Sequence, residues 1–149
     1  MVLFDLVNEF GLIGLFLATF LSASIVPFPS EPAIVFALTF SSAIVVFIIA
    51  LSSGVLGGIT NYYIGSRGFH NFLVKRSPEN EKKAQKIFKK FGIIALLVAP
   101  WIPFVGDPLL VVAGMLKMNF KKFLIFSAIG KVIKIAIVIY LGQVLFQVI

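Results

Sequence analysis

Apolar residues run along this chain in four long stretches, 10–26, 33–65, 93–116 and 123–149, and short polar patches separate them. The lengths of these stretches constrain the helices they predict. A helix rises about 1.5 Å per residue, so crossing the roughly 30 Å core of a bilayer takes about 20 residues. The third stretch is interrupted by Pro100-Trp101-Ile102-Pro103-Phe104-Val105-Gly106-Asp107. Its two arms, 92–99 and 108–116, are each about 13 Å long, half a bilayer, and neither crosses alone. Residues 33–65 are too long for one span and too short for two. A returning arm at 31–40 followed by a crossing helix at 43–65 resolves that length. The last stretch holds one span, from Phe123 to Gly142.

The chain repeats itself. Pro-Phe-Pro-Ser-Glu-Pro-Ala-Ile-Val-Phe-Ala at 27–37 is matched 76 residues later by Pro-Phe-Val-Gly-Asp-Pro-Leu-Leu-Val-Val-Ala, with Asp107 in the place of Glu31. Phe-Gly-Leu-Ile at 10–13 resembles Phe-Gly-Ile-Ile at 91–94, and Tyr63-Ile64-Gly65 resembles Tyr140-Leu141-Gly142. A duplicated unit is expected. Each interrupted stretch is either one broken helix that crosses or a re-entrant hairpin that returns to its own side. The hairpin is the reading taken here: it places Lys117, Lys121 and Lys122 on the same face as the basic linker at 66–91, and the positive-inside rule makes that face cytoplasmic. A hairpin plus one crossing helix makes an odd number of crossings, so the second unit enters inverted, an architecture of transporters.

The expected fold is therefore an all-α integral membrane protein, one membrane domain over 1–149. Repeat 1 covers about 10–65, an amphipathic linker 66–91 and repeat 2 about 92–142, with both termini outside the cytoplasm. The linker predicts a helix over 78–91, capped by Ser77, started by Pro78, favoured by Glu79 and Glu81 in its first turn and ended by Gly92. Ala84, Ile87, Phe88 and Phe91 share one face and the lysines the other, as in a helix lying among headgroups.

Composition agrees with the membrane reading. Of 149 residues, 60% are hydrophobic and 13% charged, and the mean hydropathy is +1.08, far above a soluble domain. Asp5 and Glu9 are the charges of the first twenty residues, which lack the cationic start of a signal peptide. The net charge of +7 is placed beside spans rather than in a nucleic-acid module, so membrane lipid and no nucleic acid is the expected partner. With no cysteine and His70 alone, neither a disulfide nor a metal centre is expected, no cofactor is implied, and no nucleophile–base constellation points to an enzyme. A homo-oligomer stays open.

Candidate chemistry gathers at the interruptions. Pro27, Pro29 and Pro32 mark one tip, and Pro103, Gly106 and Pro108 the other. Glu31-Pro32 and Asp107-Pro108 read as cap and first position of the returning arms. Non-helical backbone at membrane depth survives only inside protein or along a wet cavity, so the tips are expected to meet. An acid costs about 3 kcal/mol at the bilayer centre, more than capping requires, which marks Glu31 and Asp107 as groups to carry or gate a proton. Lys131 and Lys134 sit mid-span in the last helix, three apart and on one face, suited to pairing with those acids or to binding an anionic substrate. Gly54, Gly57 and Gly58 at the matching depth of repeat 1 read as helix-packing residues that also leave room for lysine side chains. Arg67 lies at the basic end, positioned to reach phosphate.

These stretches resemble the DedA (SNARE-associated, VTT-domain) superfamily, most closely its YqaA-type branch. The resemblance spans about 10–142 and rests on PSEPAIV at 29–35, SGVLGGITNYYIGSRG at 53–68, PFVGDPLLVVAGMLKMNFKKF at 103–123 and GKVIK at 130–134. It implies opposed re-entrant hairpins with essential acids, Glu31 and Asp107 by position, and nearby bases, Lys131 and Lys134. It further implies a role in moving lipids such as polyprenyl phosphates or phospholipids across the cell membrane. A proton-linked flippase-like transporter of an anionic lipid is the leading expectation. A secondary transporter of a small soluble ion or solute, and a non-transporting membrane assembly factor, are the alternatives.

Overall fold

A computed structural model describes residues 2–24, 30–67, 78–102 and 106–148. The described elements are α1 (Val2–Ser24), α2 (Glu31–Ala37), α3 (Ala43–Ser66), α4 (Pro78–Phe91), α5 (Ala95–Val98), α6 (Gly106–Met115) and α7 (Phe120–Val148), with 3-10 turns at Gly92–Ile94 and Ala99–Trp101 on either side of α5. The short arms at 31–40 and 92–99, the helix over 78–91 and the long helix over 43–65 all have counterparts. The last helix runs beyond the expected Gly142 to Val148. It starts at Phe120 because the Asn119 side-chain oxygen accepts the backbone N–H groups of Lys121 and Lys122, at 3.0 and 3.4 Å, as a helix cap does.

Among the described residues three segments are long and apolar enough to cross a membrane: Asp5–Ala23, Ala43–Ser66 and Phe120–Val148. The first is not one straight helix. Gly11 has φ 60° and ψ −127°, and the chain reverses there, so closely that a Cβ on Gly14 would lie 1.9 Å from the Leu6 carbonyl oxygen. The unbroken part, residues 12–24, rises about 20 Å, short of a full crossing. Gly92 carries the same left-handed φ, 62°, between α4 and the arm that follows. An L side chain avoids that conformation, so the glycine of each Phe-Gly pair is what permits the bend.

Long helices α3 and α7 run antiparallel. Tyr62 near the end of α3 meets Phe123 near the start of α7, ring centroids 4.6 Å apart, and the Tyr62 hydroxyl donates to the Met118 carbonyl at 2.5 Å. At the opposite end Val46 and Ala50 of α3 share a core with Ile135 and Ile139 of α7. Two apolar cores result. The first joins α1 (Leu15, Ala18) and α2 (Ala33, Ile34) to the N-terminal part of α3; the second joins α4, α5 and α6 (Phe88, Leu96, Leu109) to its C-terminal part. In lipid such contacts hold by close packing rather than by expelling water, and small residues permit it. A Cβ on Gly65 would fall 2.0 Å from the Val111 carbonyl oxygen, and one on Gly114 1.9 Å from that of Tyr62, so α3 and α6 touch backbone to backbone.

Two expectations change here. The apolar face of α4 lies against α6 and not among headgroups: Ala84 and Phe88 are buried in the second core. Phe91, assigned to that same face, is 53% exposed, because the packed part of α4 ends a turn earlier. The helices also start earlier than expected, α2 by one residue and α6 by two. α2 begins at Glu31 with Ser30 in the cap position and no side-chain capping bond, and α6 begins at Gly106, ahead of Asp107. Ser77, the expected cap of α4, lies outside the described residues.

Candidate functional site: a polar layer between two cores

Between the two cores α3 and α7 present polar and small residues to each other. Lys131 and Lys134 share one face of α7, as their spacing of three requires. Lys131 points at α3, where its stem crosses Gly58 and Gly54: a Cβ on Gly58 would sit 3.4 Å from Nζ, and one on Gly54 3.7 Å from Cδ. Its ammonium donates to the Gly54 carbonyl at 2.5 Å, and the residue is 9% exposed. Those glycines therefore house a lysine at the depth where side chains from the facing helix would otherwise fill the space. Gly57, between them, is buried on the same helix.

Lys134 reaches α2. Its Nζ stands 2.5 Å from Glu31 Oε1, and the two side chains are 23% and 34% exposed. The second carboxylate oxygen, Oε2, is covered and accepts no hydrogen bond from the described residues. Among the described residues Glu31 is thus held by one oxygen, Oε1.

Other sequence candidates fall in different places. Asp107 is the second residue of α6 and its side chain lies outside the described part of the structure; Pro27, Pro29 and Pro103 also lie outside the described residues. Pro32 is exposed in the first turn of α2 and Pro108 buried in that of α6. Gly106 is where the arm before it and α6 close: its N–H donates to the Ile102 carbonyl at 3.0 Å, and a Cβ there would lie 2.1 Å from the Ala99 carbonyl oxygen. Arg67 is exposed just past the end of α3, about 20 Å along the helix from Gly54, and is no part of the layer.

Several residues of the layer escaped the sequence reading. Thr19 of α1 and Ser53 of α3 hydrogen-bond each other through their hydroxyls, both buried. Asn61, fully buried, donates to the Ala23 carbonyl at 2.8 Å and so ties α3 to the end of α1. Gly130, next to Lys131, lies against the Leu97 carbonyl, which would be 2.6 Å from a Cβ. A signal for Gly130 existed: it stands 76 residues after Gly54, the interval of the hairpin motif. Nothing in the local pattern distinguishes Thr19 or Asn61 from other helix residues.

Chemically, the layer offers two ammonium groups in apolar surroundings, one resting on a carbonyl and one on a carboxylate. A ligand anion of higher charge density can exchange for either acceptor.

The VTT domain profile matches residues 28–144. Among curated proteins, "Inner membrane protein YqaA" of Escherichia coli is 31% identical over 126 residues, covering 83% of this chain and 85% of its own length. "Undecaprenyl phosphate transporter A" of Staphylococcus aureus is 27% identical, covering 97% and 78%. An "Alkaline phosphatase-like protein" of Lactococcus lactis is 28% identical, covering 97% and 75%. No solved structure matches.

Proposed function

Because this chain belongs to the VTT-domain (DedA) family of multi-pass membrane proteins, we propose that it moves a phosphate-bearing anionic lipid across the bilayer as a proton-linked transporter and not as an enzyme. The observation that carries this reading is the inward turn of Lys131 and Lys134 between two apolar cores. Charged groups at that depth are costly, and they mark pathways for ions and charged substrates. A relative named for undecaprenyl phosphate supports a lipid phosphate as cargo.

The headgroup phosphate enters the layer and takes the ammonium of Lys131 from the Gly54 carbonyl. Protonation of Glu31 frees Lys134 for the same anion, and Asp107, at the matching position of the second repeat, acts alike. Both arms dip into the bilayer as re-entrant hairpins, 12–37 from one side and 93–115 from the other, in an inverted repeat within one membrane domain. The shared element order favours this: a helix, a left-handed glycine, two short arms and a long helix occur twice. Rocking of the repeats alternates access, and the basic end bearing Arg67 and Lys117 faces the cytoplasm.

Proteoliposomes carrying a fluorescent phosphate-bearing lipid test this. Glu31→Ala, Asp107→Ala, Lys131→Ala and Lys134→Ala, folded as judged by gel filtration, should each slow flipping about tenfold or more, the worth of one hydrogen bond to a charged group. Unaltered flipping in all four would refute the site. Uptake of a soluble ion without lipid movement would select the solute transporter instead.

A further inference from the structure

Phe91, Ile94, Val98 and Trp101 are 53%, 57%, 46% and 44% exposed, while Ala95, Leu96 and Ala99 between them are buried in the second core. The spacing of four and three puts Ile94, Val98 and Trp101 on one stripe along the arm that follows Gly92, and Phe91 stands just before the bend. At the head of the stripe Lys89 and Lys90 are exposed, and the Lys90 ammonium lies 5.3 Å from the centre of the Phe91 ring. Because α6 covers the apolar face of α4 as far as Phe88, these exposed lysines leave from the end of a helix anchored on protein. We propose that this elbow is a binding site for an anionic phospholipid, its phosphate on Lys89 and Lys90 and an acyl chain along the stripe from Ile94 to Trp101. From Ile94 to Trp101 the stripe is about 10 Å long, roughly two thirds of the depth of one leaflet's hydrocarbon. The site is separate from the polar layer and does not depend on it.

The first elbow is an internal control. Ile13, Leu17 and Leu21 form an equivalent exposed stripe after Gly11, with exposed Phe10 just before the bend, but Asn8 and Glu9 stand at its head. A lipid-facing apolar stripe is thus common to both elbows, whereas a cationic head belongs to one, and that head selects lipid charge.

Trp101 is the chain's one tryptophan, so its fluorescence reports the stripe directly. The full chain is reconstituted in phosphatidylcholine bilayers containing increasing fractions of either phosphatidylglycerol or phosphatidylcholine with brominated acyl chains, which quench a neighbouring indole. Brominated phosphatidylglycerol should quench at the lower mole fraction. Lys89→Gln/Lys90→Gln should bring the two lipids toward parity, roughly fivefold for each lysine removed. Lys82→Gln/Lys83→Gln, further back on α4, should keep the preference. Equal quenching of the wild type by both lipids overturns the site, as does a preference that survives in the 89/90 variant. Loss of preference in the 82/83 variant also overturns it, since diffuse charge would then be responsible. An unchanged Trp101 emission maximum in detergent verifies that each variant is folded.

Discussion

At 8–13 the chain reads Asn-Glu-Phe-Gly-Leu-Ile and at 89–94 Lys-Lys-Phe-Gly-Ile-Ile, and both glycines hold φ near 60°. The bend and the apolar stripe behind it are alike; the charge at the head is opposite. Each half also closes differently. The first folds its own N-terminal turns back onto residues 12–24, with the Leu6 backbone on Gly14, whereas the second lays α4 across α6. The contrast teaches that a bend fixed by backbone sterics can be repeated while exposed side chains next to it diverge, since the latter meet solvent or headgroups and constrain no packing.

The largest effect should come from the glycine seam of the second half. Gly114→Ala and Gly65→Ala force a methyl into the facing backbone, and each should lower stability in detergent by about 3 kcal/mol, the upper range for overpacking. Gly54→Ala meets the Lys131 stem only at ordinary contact distance, 3.7 Å, and should be tolerated in the same unfolding measurement. Next, Gly11→Ala and Gly92→Ala have open space around the new methyl, so the cost is conformational and should be about 1–2 kcal/mol for each. A cost at one elbow and none at the other would break their equivalence. Smaller still, Lys134→Ala strands Glu31; the pair is partly exposed, so a loss of about 1 kcal/mol is expected, recovered in part by adding Glu31→Gln. Smallest is a transplant: with Trp101→Phe and Leu17→Trp moving the reporter, Asn8→Lys/Glu9→Lys should give the first elbow the preference for anionic lipid. Quenching indifferent to lipid charge would show that the elbows differ in more than their heads.

Much of the element order was legible because its signals are local. Pro32 and Pro108 sit in the first turns of α2 and α6, Gly92 ends α4, and the interval of 76 residues pairs Glu31 with Asp107. The inward face of α7 followed from the spacing of Lys131 and Lys134. Their partners followed in part: the acids were expected beside them, but helical phase gives only a direction from the axis, and packing decided that Lys134 meets Glu31 and Lys131 the Gly54 carbonyl. Gly54 and Gly58 were read as packing residues that leave room for lysine side chains, and the fold sets the Lys131 stem over them.

From the sequence alone came an all-helical membrane chain and the breaks at Pro32, Gly92 and Pro108, since hydrocarbon thickness, proline and glycine act within a few residues. The tertiary structure alone decided that residues 2–10 fold back, that α4 hides its apolar face on α6, and which of the two lysines meets Glu31 and which rests on Gly54. Each of these depends on which distant surface arrives to cover a given face, and amphipathic periodicity states that a face must be covered without stating by what.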